Sequence, residues 1–96
     1  MNNLVLTAQI VEVSTLRYSP AGLPVVDVKL VHDSIEVDSG TPRKINVSIK
    51  SVAIGHTAER LIQLPIHSTW TFTGFLASSK NSKSIFFHIQ SFQTDS

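Results

Sequence analysis

Apolar and polar residues alternate with period two along most of this chain, and each break in the alternation marks the end of an element. Leu4, Leu6, Ala8 and Ile10 fall on one side and Val5, Thr7 and Gln9 on the other, after which Val11 and Val13 continue the apolar series one place out of phase. That slip predicts a β-bulge near Ile10 and Val11. Ser19-Pro20-Ala21-Gly22-Leu23-Pro24 is turn chemistry, with φ fixed at Pro20 and a positive φ open to Gly22, so the first strand ends before it. Val26, Val28, Leu30 and His32 alternate with Val25, Asp27, Lys29 and Val31 in a second strand. Residues 33–42 are polar, contain Gly40 and Pro42, and read as a loop. Ile45, Val47 and Ile49 against Lys44, Asn46, Ser48 and Lys50 give a third strand with one wet side.

The pattern then changes period. Between Gly55 and Pro65, the spacing of Ala58, Leu61 and Ile62 predicts a short helix or irregular crossover, with Thr57 as N-cap and Pro65 as stop. Trp70, Phe72, Gly74 and Leu76 share one side of a fourth strand, Thr71, Thr73 and Phe75 the other, and Gly74 permits a bend. Residues 78–84 form a polar hairpin tip. In a fifth strand, Ile85, Phe87 and Ile89 face away from Phe86, His88, Gln90 and Phe92. Val, Ile and Thr supply 27 of the 96 residues, which suits pleated surfaces better than helices. An all-β domain with five strands and a crossover between the third and fourth has the element order of an OB-fold, a small closed barrel. A single domain spanning 1–96 is expected, with a short disordered end at about 94–96.

Composition narrows the function. Hydrophobic residues make up 42% and charged residues 16%, below the usual value of about 25%, so the chain has a core to bury and lacks a strongly basic coat. The formal charge of +1 hides an asymmetry: residues 1–38 carry a balance of −3 and residues 39–94 one of +5. A polyanion should prefer the second half. Without Cys there is no disulfide framework and no Cys-ligated zinc. No apolar run approaches the 18 or so residues of a membrane span, and Met1-Asn2-Asn3-Leu4 lacks a basic lead into an apolar run, so a cytoplasmic location is expected.

Catalytic signatures are missing from the sequence. His32, His56, His67 and His88 show no metal-ligand spacing, and no cofactor or metal is expected. His32-Asp33-Ser34 holds the letters of a triad, but neighbours on an extended chain point to opposite faces. The four glycines are too dispersed for a phosphate loop. An enzyme is therefore not supported. What remains is a sheet surface with sparse cations: Lys44, Asn46 and Lys50 on the outward side of the third strand, Lys29 on the second, and Lys80 and Lys83 on the hairpin tip. In an OB-fold, oligonucleotides are held on this sheet face and by its flanking loops. Trp70, Phe72 and Phe87 fit the core better than a stacking platform, whereas Tyr18, beside Arg17 at a turn, is the better stacking candidate.

The segment from Leu16 to Pro24, followed by Val26-x-Val28-x-Leu30-x-His32-x-Ser34, resembles the first hairpin of bacterial primosomal replication protein N (PriB), a family itself similar to single-stranded DNA-binding protein. Asn3-Leu4-Val5-Leu6, Gly55, Gly74-Phe75, and Phe87-His88 with Phe92 extend the likeness over nearly the whole chain. The resemblance implies a homodimeric OB-fold that binds single-stranded DNA and helps the PriA helicase reload replication machinery, without catalysis of its own. A DnaT-like primosome protein is a further candidate partner. Pairing of first strands in family dimers implies an interface at Leu4, Leu6, Ala8 and Ile10. By position, Arg17, Arg43, Lys80 and Lys83 match the family's basic DNA surface. Asn46 and Thr41 stand where better-known relatives have Trp and Phe, and Asp33 replaces a basic position, which implies weaker, more electrostatic DNA binding and little base stacking.

Overall fold

The first strand, β1 (Leu4–Val13), bonds to two neighbours in turn. Leu4 to Gln9 pair antiparallel with β5 (Thr69–Ser78), and Gln9 to Val13 pair antiparallel with β3 (Pro24–Asp38). The β3 register skips Val11 between Ile10 and Glu12, at the slip in the apolar pattern. Such a bulge bends the strand and raises its twist, so β1 serves as both the first and the last stave of a barrel. β3 continues into β4 (Thr41–Ile54), β4 runs parallel to β6 (Ile85–Thr94) over Ser51 to Ala53, and β6 returns antiparallel to β5. A two-residue strand, β2 (Arg17–Tyr18), adds to β3 at Pro24 and Val25. The order β1-β5-β6-β4-β3-β2, closed by β1 on β3, is the five-stranded OB barrel expected from the sequence, with β2 as an addition. This computed structural model describes residues 1–79 and 83–94, so Lys80 and the expected disorder at 95–96 lie outside the described residues. Among those described, no helix is long and apolar enough to cross a membrane.

Ile10, Val26, Leu30, Leu61, Phe72, Phe87 and Ile89 fill the barrel with almost no exposure. Each buried side chain of this size contributes about 1.5–3 kcal/mol. Helix α1 (His56–Leu61) closes one end by burying Ala58 and Leu61, while Ile62 stays exposed. Two expectations change here. Gly55, at φ 73, is the N-cap, and the Thr57 hydroxyl instead donates to the Gln90 carbonyl at 3.1 Å, so its partner is tertiary. Phe92 belongs to the core, because the β5–β6 register shifts at Thr73/Gly74 and turns it inward against Trp70 and Phe72.

Residues 33–42, expected as a loop, are a two-stranded ribbon. β3 and β4 stay in register from Val25↔Ile54 out to Asp38↔Thr41, turning through Ser39 at φ 52 and Gly40 at φ 78. Positive φ at both positions is the type I′ geometry whose twist matches flanking strands. Both faces of the ribbon meet water, so no apolar alternation advertised it. It stretches the molecule to 49 Å and gives a radius of gyration of 14.2 Å, against about 12.5 Å for a compact chain of this length.

Gly74 marks the tightest crossing in the sheet. A Cβ there would sit 1.9 Å from the His88 carbonyl oxygen and 2.9 Å from its carbon, both backbone atoms. Gly74→Ala should therefore destabilise the barrel by about 1–3 kcal/mol or more, read as a lower urea midpoint at unchanged slope.

Candidate nucleic-acid interface

The alternation that buries Val26, Val28 and Leu30 turns Asp27, Lys29, Val31, Asp33, Ile35 and Val37 outward. Register places Lys50 opposite Lys29, Ser48 opposite Val31, Asn46 opposite Asp33 and Lys44 opposite Ile35. Lys29, Lys44, Asn46 and Lys50 thus share one face. Lys29 and Lys50 are cross-strand neighbours, an arrangement that costs the sheet stability through like-charge repulsion. Neither forms a salt bridge among the described residues, although Glu12 lies opposite Lys29 in the β1–β3 register. They line a groove of about 1150 Å³ together with Glu12, Arg17 and Asp27 on one side and Ser78, Ser84 and Phe86 on the other. Ser51 contributes to its lining and holds a buried hydroxyl without a hydrogen-bond partner.

Other expected residues are placed differently. Arg17 reaches the groove but grips both oxygens of Asp27, with Nη2 3.3 Å from Oδ1, so its charge is already answered. Tyr18 is exposed, yet strand alternation turns it away from Arg17 and it does not line the groove. Arg43 sits on the opposite ribbon face, across from Glu36 and 3.2 Å from Asp38. Asn46 donates to Asp33, and Lys44 lies six residues, about 20 Å of strand, beyond Lys50. Lys83 is exposed beside Ser84 at the groove wall. Distal to Val31 the ribbon holds Asp33, Glu36 and Asp38 against Arg43 and Lys44, so a polyanion is favoured at its root and not its tip.

The implied interface on β1 also changes. Ala8 and Ile10 are 2% and 0% exposed inside their own barrel, and Leu4 and Leu6 pack against the same core. These side chains are used internally, which leaves to a partner only the backbone edge of Leu4 to Ala8 and the outward Val5 and Thr7. At that edge His32 Nδ1 donates to the Thr7 carbonyl at 2.6 Å, and its Nε2 hydrogen-bonds Ser34 Oγ at 2.9 Å. His32 and Ser34 therefore do meet, being two residues apart on one face, while Asp33 points to the other face and Asn46.

The sequence reading missed the aromatic side of the groove. Phe86 lines it next to Lys50, and Phe75 and His88 stack on the adjoining outer face of β5 and β6, ring centroids 4.6 Å apart and 12° from parallel. The missing step was available: an OB-fold sets its fifth strand beside its third, so the outward residues of one adjoin the outward residues of the other.

A family model described as "Another single-strand binding protein family" matches residues 2–91. Replication restart protein PriB of Bordetella pertussis is 38% identical over 91 residues, covering 94% of this chain and 85% of that protein. This chain belongs to the PriB and single-strand-binding-protein family of OB-folds. PriB of Nitrosomonas europaea is 31% identical over 90 residues, covering 93% and 83% of the two chains. The solved PriB of Ralstonia solanacearum superposes with a TM-score of 0.91 at 31% identity, covering 100% of this chain and 99% of that one. The single-stranded DNA binding protein of Thermus aquaticus shares the fold, with a TM-score of 0.77 at 20% identity over 97% of this chain and 49% of its own. The PriB-like fold thus carries here a groove with a cross-strand lysine pair that forms no salt bridge among the described residues.

Two measurements follow from the site. Asp27→Asn should release Arg17 into the groove and raise the salt concentration at which the protein leaves a heparin column; unchanged retention would mean Arg17 faces no anion. Desolvation by burial holds the His88 pKa below the ordinary imidazole value of 6.5. The neutral ring is favoured in the folded state, so this group's contribution to stability is full above about pH 6.5 and is lost as pH falls below it. His88→Gln should remove that part of the acid-side slope in melting temperature.

Proposed function

We propose that this protein binds single-stranded DNA in the groove rooted at Lys29 and Lys50, without enzymatic activity, as a cytoplasmic accessory of replication restart that stimulates the PriA helicase. The observation that carries the reading is the lysine pair. Lys29 and Lys50 are direct register partners that form no salt bridge among the described residues, and Glu12, opposite Lys29 on β1, is one carboxylate against two cations, so a backbone phosphate beside the pair supplies the negative charge that is lacking. The pair sits between the flanking elements that hold oligonucleotides in OB-folds, and the family membership supports the same ligand. Lys83 adds positive charge beside the groove wall at Ser84. The homodimer is proposed to form along the backbone edge of β1 from Leu4 to Ala8, which β5 occupies on one side only.

A second reading, an adapter that holds the helicase and barely touches DNA, is favoured by the distal ribbon. Ile35 and Val37 are 68% and 73% exposed there, beside the Arg43–Asp38 ion pair and the Asn46–Asp33 hydrogen bond. Fluorescence anisotropy with labelled oligo-dT over a salt series separates the two. Lys29→Ala and Lys50→Ala should each weaken binding and reduce the slope of log K against log salt by about 0.7, while leaving stability unchanged or raised by a few tenths of a kcal/mol. A helicase pull-down that survives nuclease, together with no oligo-dT binding at low salt, would establish the adapter instead.

A further inference from the structure

We propose that Phe75, His88 and Phe86, on the outer face of the β5–β6 hairpin, form a base-stacking subsite that continues the lysine groove, so that single-stranded DNA crosses β4 onto β6 and β5. This rests on the single-stranded DNA reading and adds a path and a mode of contact to it. The path follows from register. Lys29 faces Lys50, Phe87 pairs with Ser51 and His88 with Val52 across the parallel β4–β6 ladder, and Phe75 and Ala77 face His88 and Phe86. The outward side chains therefore run as two adjacent rows, Lys29, Lys50, Phe86, Ala77 and Asp27, Val52, His88, Phe75. From β3 to β5 these rows span three strand spacings, about 14 Å.

Chemistry changes along the rows in the sense a nucleic acid strand requires. β3 and β4 supply the cations Lys29 and Lys50 at the head of the first row and, in the second, Asp27 held by Arg17, whereas β5 and β6 contain no Asp, Glu, Lys or Arg. Nothing on these two strands repels a phosphate and nothing attracts one, so their contribution must come from ring faces. All three rings are half-buried, and Phe86 shares the groove lining with Lys29 and Lys50, which makes the aromatic and cationic areas continuous. The Phe75 and His88 rings are nearly parallel, a geometry in which a base extends an existing stack. Base–aromatic stacking tolerates any sequence because every base presents a π-face. The positions of Asn46 and Thr41, which took stacking platforms away from the ribbon, do not touch this face.

The competing explanation is a cross-strand pair that only stabilises the sheet. Phe75→Leu and Phe86→Leu keep apolar bulk and remove the flat ring, and His88→Leu does the same beside them. Each is titrated, with its melting temperature checked, against oligo-dT from about 4 to about 16 nucleotides, the range of site sizes per OB-fold, at a pH well above 6.5 so that His88 is neutral. Expected is near-normal binding of the shortest oligomers, a loss of about tenfold per ring on the longer ones, and an unchanged salt slope. Photo-cross-linking with 5-iododeoxyuridine should place adducts on the Phe75 and His88 peptides. Folded variants that bind every length as the parent does, or adducts confined to β3 and β4, would overturn the subsite while leaving the groove standing. A parent protein that binds no oligomer at low salt would overturn both.

Discussion

A strand in a sheet has two edges, and β1 uses its edges at different heights: Leu4 to Gln9 bond to β5 and Gln9 to Val13 bond to β3. The skipped Val11 supplies the bend between the two ladders. Without it Ile10 and Val13 could not both meet the core, and the sheet would stay open with β3 and β5 as its margins. Closure then dictates the rest. It forces β4 alongside β6 in parallel, brings the outward residues of four strands into one continuous surface, and lets β3 and β4 run on past the barrel as a free ribbon. Gly74 is the second condition of closure, since the β5–β6 hairpin folds onto itself too closely there for any side chain.

How much of this could be read beforehand depends on whether a residue sits between core and water. Strands that separate the two write a period of two into the chain, and the five barrel strands and the bulge were legible for that reason. The outer ribbon was not, because Glu36 to Asp38 and Thr41 to Arg43 are wet on both faces and carry no such contrast. Its Ser39-Gly40 turn was a local signal, but Gly40-Thr41-Pro42 read equally well as a loop. Phe92 and Thr57 were misplaced through contacts distant in sequence, one by a register shift and one by a carbonyl on β6.

For the candidate site, alternation alone put Lys29, Lys44, Asn46 and Lys50 on one face, and cross-strand register made neighbours of Lys29 and Lys50. Charge matching was invisible in the sequence. Arg17 is held by Asp27, Arg43 by Asp38, and Asn46 by Asp33, so three of the residues that looked available are engaged inside the molecule. Side-chain patterning also placed Leu4, Leu6, Ala8 and Ile10 on an apolar face correctly, but an apolar face belongs first to its own core.

The type I′ turn joins two strands paired out to Asp38↔Thr41, and the ribbon's three carboxylates against two cations give it a separate audience from the barrel. An anionic strand gripped at the root has no electrostatic reason to climb toward Glu36 and Asp38. The far tip of a 49 Å molecule therefore stands well apart from the lysines at its root, and a ligand on one leaves the other uncovered.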